Sequence, residues 1–189
     1  MAKLHDLRLR HVVWWQEIRT TLWPAIQRAR QDTFFARLAR EITDNDRLPP
    51  TLQRALVQAS MANPPVSSVQ KLASVVGCSP DTLQHHWRAT GAADHLRLKD
   101  ALSWILLLRA CVTKCEARSW SHVAKALSVS ERTLSRTAKR LTGMQLARLA
   151  ADGEHTTALR RFGRLPLGVL GREDSPFCGW IRSFDLAGG

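Results

Sequence analysis

Two stretches decide the fold: SVQKLASVVGCSPDTLQHHWR (Ser68–Arg88) and SWSHVAKALSVSERTLSRTAKRL (Ser119–Leu141). Laid over each other, Leu72 meets Val123, Ala73 meets Ala124, Ser79 meets Ser130 and Leu83 meets Leu134. Each pair is 51 positions apart (123−72, 124−73, 130−79, 134−83). A constant offset between chemically matched residues marks an internal repeat.

Each copy reads as a helix, a tight turn and a second helix. In the first, Ser67 or Ser68 can cap a helix carrying Val69, Leu72, Ala73 and Val76, and Gly77 ends it. Ser79-Pro80 then starts the next helix, because serine accepts the free first-turn amides and proline suits the first helical position. In the second copy Trp120, Val123, Ala124 and Leu127 form one helix, Ser128-Val129 turn, and Ser130 caps the next. A small residue lets two helices cross, hence Ala73 and Ala124. Leu83 with Trp87, and Leu134 with Leu141, are the expected anchors of the second helices.

Between the copies, the spacing predicts a long helix from about Asp94 to Glu116, with Leu96, Leu98, Leu102, Ile105, Leu106, Ala110 and Val112 on an apolar face. Roughly 20 residues make a rod on the order of 30 Å. Upstream, apolar residues at helical spacing run from Leu9 to Ile42, with Pro24 dividing two helices, and a shorter helix spans Thr51 to about Ala62. Asn63-Pro64-Pro65 sets the expected boundary. The expected organisation is a helical segment over 1–63, a domain of two helix-turn-helix units over 64–160, and an irregular or disordered tail over 161–189. That tail is rich in glycine, and Phe177, Trp180 and Ile181 are its candidates for docking. Residues Met144–Leu149 read as one more short helix. The fold class is all-α, since alternating β-branched runs bounded by hairpin turns are missing before residue 160.

Charge narrows the function classes. The 189 residues hold 28 Lys+Arg against 16 Asp+Glu, a net of +12. The excess is concentrated in residues 67–162, with 15 basic and 7 acidic groups, whereas residues 163–189 balance at 3 and 3. A field of this sign favours a polyanion, nucleic acid before an anionic membrane. Met1–Arg10 does not read as a signal peptide, and no run approaches the roughly 18 apolar residues of a membrane span. Four scattered cysteines do not make a disulfide framework, and Cys111 and Cys115, one helical turn apart, read as small buried hydrophobes. A reducing, cytoplasmic setting is expected. No nucleophile–base–acid set, phosphate loop or metal cluster is legible, so neither catalysis nor a metal or cofactor is expected.

The second helix of each unit presents the candidate reading face: Asp81, Thr82, Gln84, His85 and Arg88 in the first, and Glu131, Arg132, Ser135, Arg136 and Lys139 in the second. Arg pairs with guanine and Gln with adenine in a major groove about 12 Å wide. Lys71, Lys125 and Arg140 suit phosphates, which give affinity without sequence information.

Residues 66–149 resemble the DNA-binding domain of the AraC/XylS family of transcription regulators. The matching elements are Val69-Gln70-Lys71-Leu72-Ala73, Gly77-Cys78-Ser79, Leu83, Leu102–Leu108, Val123–Ser130, Leu134-Ser135-Arg136, Lys139-Arg140 and Thr142-Gly143-Met144. The resemblance implies a linker helix that sets two recognition helices into successive major grooves, about 34 Å apart. The chain departs from the family at Ser128-Val129, where Gly and an aromatic residue are usual, and at Ala138, where an aromatic residue usually seats the helix; Gly91 also comes one residue early. Double-stranded DNA is the implied partner. A homodimer through the N-terminal helices and RNA polymerase are further candidates. The alternative reading is a helical protein-interaction adaptor with nonspecific nucleic-acid affinity.

Overall fold

The computed structural model describes residues 34–114 and 119–150, together with Phe162 and Leu170. Among these the regular structure is entirely helical, as expected of an all-α chain. The elements are α1 (34–43), α2 (Pro50–Met61), α3 (Val69–Val76), α4 (Pro80–Ala89), α5 (Leu98–Lys114), α6 (Trp120–Ala126) and α7 (Glu131–Thr142). Two 3-10 turns, Ala92–Asp94 and Arg148–Ala150, complete them. The latter stands where a short helix over 144–149 was expected. The division at Pro24, Cys115 and the candidates Phe177, Trp180 and Ile181 lie outside the described residues.

The centre of the fold is α5. Sequence spacing assigns it one apolar face, but Ala101, Leu102, Trp104, Ile105, Leu106, Leu107, Leu108 and Ala110 are all buried. A helix apolar nearly all round is a core helix, and α5 accordingly packs against α2, α3, α6 and α7. It also starts later than expected, at Leu98, and its 17 described residues make about 25 Å at 1.5 Å per residue. The start is delayed because the Ala92–Asp94 turn intervenes and the Trp87 indole N–H donates to Leu96 O at 2.6 Å.

The expected boundary at Asn63-Pro64-Pro65 does not separate two cores. Leu52, Leu56 and Ala59 of α2 share one hydrophobic cluster with Leu72, Leu83 and Leu102, and α2 contacts α3, α4 and α5. Arg109 of α5 strengthens this join. Its Nη2 donates to Ser60 O at 2.6 Å, and its guanidinium lies 4.1 Å from the Phe35 ring centre, a cation–π contact. Two residues of the expected tail are described. Phe162 and Leu170 are helical residues with no exposed surface. Phe162 lies 6.3 Å from both Phe34 and Trp104, ring centre to ring centre, and Asn45 Nδ2 donates to Leu170 O at 3.2 Å. Phe162 thus adds its apolar bulk to the core between α1 and α5.

Candidate nucleic-acid interface

The offset of 51 reappears as backbone geometry. Ser68 Oγ accepts from Lys71 N at 3.1 Å, and its counterpart Ser119 Oγ accepts from His122 N at 3.3 Å. Cys78 N donates to Ala73 O at 3.0 Å, and Val129 N to Ala124 O at 2.9 Å. Gly77 and Ser128 both take positive φ, 73° and 55°. Ser79 Oγ accepts from Thr82 N at 3.0 Å, and Ser130 Oγ from Thr133 N at 3.1 Å. Each of these four caps satisfies a first-turn amide that the helix itself cannot, a contribution of about 1 kcal/mol apiece. The turns match because the same local requirements recur: a cap, a left-handed residue, and a second cap two residues later.

The two pairs differ in how the second helix is seated. In α4, Leu83 and Trp87 point inward. In α7, Leu134, Thr137, Ala138 and Thr142 do so, while the expected anchor Leu141 is only half-buried. Ala138 stands at the position of Trp87 (138−87 = 51) and is fully buried. A threonine closes both helices in the same way: the Thr142 hydroxyl donates to Ala138 O at 2.7 Å and accepts from Met144 N at 3.1 Å, as the Thr90 hydroxyl donates to Trp87 O at 2.7 Å and accepts from Ala92 N at 3.2 Å. One extra residue in α7 delays its left-handed end to Gly143, against Gly91 after α4.

The exposed faces also correspond. Asp81, Gln84, His85 and Arg88 lie on α4, and 51 positions on, Arg132, Ser135, Arg136 and Lys139 lie on α7; all eight are exposed. Their spacing puts each set on one side of its helix. Taking His85 as neutral, the four α4 residues sum to zero (Asp81 against Arg88) and the four α7 residues to +3 (Arg132, Arg136, Lys139), or +2 with Glu131, which is also exposed on α7. Arg88 Nη2 reaches Gln84 Oε1 at 3.5 Å, a loose contact. Lys125 and Lys71 are exposed on α6 and α3.

Two expected residues are placed differently. Thr82 is half-buried, and its hydroxyl meets Ser79 Oγ at 2.8 Å, so it belongs to the cap rather than to the outer face. Arg140 does not project with Arg136 and Lys139. It forms an ion pair with Asp100 of α5, and its Nη2 donates to Ser103 Oγ at 3.0 Å. Arg140 thus braces α7 against α5 while its side chain stays 41% exposed. Asp100 also accepts from Arg97 Nε at 2.8 Å. Burial pushes the Asp100 carboxyl up, but hydrogen bonds from Arg140 and Arg97, and their charges, outweigh it and hold it below the ordinary 3.8. Sequence reading missed this carboxylate, because its main partner is 40 residues away.

The brace completes a junction. The Trp87 indole ties α4 to Leu96, just before α5, and Arg140 ties α7 to Asp100 in its first turn, so both outward-facing helices are hydrogen-bonded to one stretch of five residues. Among the described residues, no helix is long and apolar enough to cross a membrane, and no group of three or more His, Cys, Asp or Glu could hold a metal ion. Compared with known proteins, the chain matches no family model, no curated protein and no solved structure.

Proposed function

We propose that this chain is a sequence-specific DNA-binding transcription regulator of the AraC/XylS type, with α4 and α7 as recognition helices for successive major grooves. The observation that carries the reading is the pair of exposed faces at offset 51, each on the second helix of an identically capped pair. An exposed polar face on a rigidly seated helix is what major-groove reading requires. In this reading Gln84, His85 and Arg88 contact one half of the site, and Arg132, Ser135, Arg136 and Lys139 the other, with Lys125 on phosphates. The net +12 charge supplies the nonspecific affinity. The protein then works where chromosomal DNA is, with double-stranded DNA as its partner. Homodimerisation and contact with RNA polymerase are secondary parts of the same proposal.

The test begins with selection of bound duplexes from random DNA. Arg88→Ala and Arg136→Ala should each weaken binding by about 1–3 kcal/mol and relax preference at different halves of a footprint roughly two turns long. A footprint of one half-site, indifferent to one of the two substitutions, contradicts the two-groove reading. Affinity that stays flat between about 50 and 200 mM salt favours the protein-interaction adaptor instead.

A further inference from the structure

We propose that the cleft between α4 and the start of α5 receives a phosphate of the DNA backbone, held by Arg97 and Lys99; this rests on the DNA-binding reading above and adds two residues to it. The cleft encloses about 310 Å³ and is lined by Gln84, Trp87 and Arg88 on one side and by Arg97, Leu98 and Lys99 on the other. Gln84 and Arg88 belong both to the cleft and to the outward face of α4. DNA read by that face therefore brings the strand bordering its major groove over the opposite wall, where the two cations stand. Arg97 and Lys99 are exposed, and among the described residues no carboxylate lines the cleft.

Asp100, just behind this wall, orients the site. It accepts from Arg97 Nε at 2.8 Å, which occupies one edge of the guanidinium and leaves the Nη groups as the donors suited to a phosphate. The Arg97 side chain is 77% exposed despite this bond, so it is steered rather than neutralised. Trp87 supports the wall from beneath through its bond to Leu96 O, the residue before Arg97. Phosphate contacts of this kind set register and affinity without reading bases.

The experiment measures affinity of the full chain, as wild type and variants, for two duplexes of equal length, one carrying a selected site and one of unrelated sequence, across a salt series. Lys99→Gln and Arg97→Gln should each weaken binding to both duplexes by about threefold to tenfold, and each should lower the slope of log affinity against log salt by about one. Lys99→Gln should leave thermal unfolding unchanged, which separates contact from folding. An unchanged slope in Lys99→Gln overturns the clamp while the DNA-binding reading stands. So does an equal loss in Arg54→Gln, an exposed cation of α2 outside this cleft, because the effect then follows net charge alone. A change in sequence preference with an unchanged slope overturns it too, by making these residues base readers. Wild type that binds neither duplex in a salt-dependent way overturns both proposals together.

Discussion

The helix pairs α3/α4 and α6/α7 share caps, turn geometry and the order of buried positions, yet differ at two places: what seats the second helix and what charge it shows. The first seats α4 with Trp87, fully packed and hydrogen-bonded to Leu96 O. The second has Ala138 there and adds the Arg140–Asp100 brace from outside the core. The position that Arg140 occupies is held by Ala89 in the first pair (140−89 = 51). A large aromatic residue and a long charged one are thus two solutions to the same mechanical need, fixing a helix against α5. The outward faces diverge more freely, neutral on α4 and net positive on α7, because solvent-exposed positions carry little packing constraint. A repeated scaffold can thus keep its construction while its two outward surfaces diverge in charge.

The comparison breaks most visibly at Trp87. Trp87→Ala should cost about 3–5 kcal/mol through the lost packing and the indole hydrogen bond, measured by denaturant unfolding. A cost below about 1 kcal/mol would mean that α4 is seated by Leu83 alone.

The brace comes next. Asp100→Asn should cost about 1–2 kcal/mol at neutral pH, discounted for the partial exposure of Arg97 and Arg140. The folded carboxyl titrates below its ordinary value, so its contribution is present above pH 3.8 and fades as pH falls through the lower folded value. Wild type and Asp100→Asn should therefore converge in strongly acidic urea titrations. A stability gap that stays constant with pH would assign the brace no charge component.

The caps sharpen the likeness. Ser79→Ala and Ser130→Ala should each cost about 1 kcal/mol, and by nearly equal amounts, since both oxygens accept the same amide at 3.0 and 3.1 Å. Unequal losses would show that the matched geometry hides different dependence on the core.

The smallest effect lies in the turns. Ser128 holds a positive φ that its counterpart Gly77 adopts freely. Ser128→Gly should stabilise by about 0.5 kcal/mol, the relief of backbone strain being offset by a freer unfolded chain. Gly77→Ser should destabilise by about 1 kcal/mol without a clash, because a Cβ there meets no atom within 4 Å. Thermal midpoints of the two variants should move in opposite directions.

Much of the fold and part of the candidate interface were legible in the residues. The stops at Gly77 and Gly143, the caps at Ser79 and Ser130, and the 51-residue offset are local, decided by side chains within three or four positions of the backbone they serve. Exposure of Gln84, His85, Arg88, Arg132, Ser135, Arg136 and Lys139 followed from the same helical period. The period could not distinguish Arg140 from Lys139, because both are polar and adjacent. Only the approach of α5, with Asp100 40 residues earlier, separates them.

By itself, the sequence determined that this protein is helical, that two of its helix pairs are copies, and which side of each second helix is polar. These properties rest on short-range sterics, capping hydrogen bonds and the spacing of apolar residues. The tertiary structure alone decided that α5 is buried nearly all round, that α2 joins the same core, that Phe162 and Leu170 close it, and that Asp100 gathers two arginines. Those facts depend on partners far apart in the chain, whose meeting is set by how the helices pack, and helical periodicity carries no record of which helix faces which.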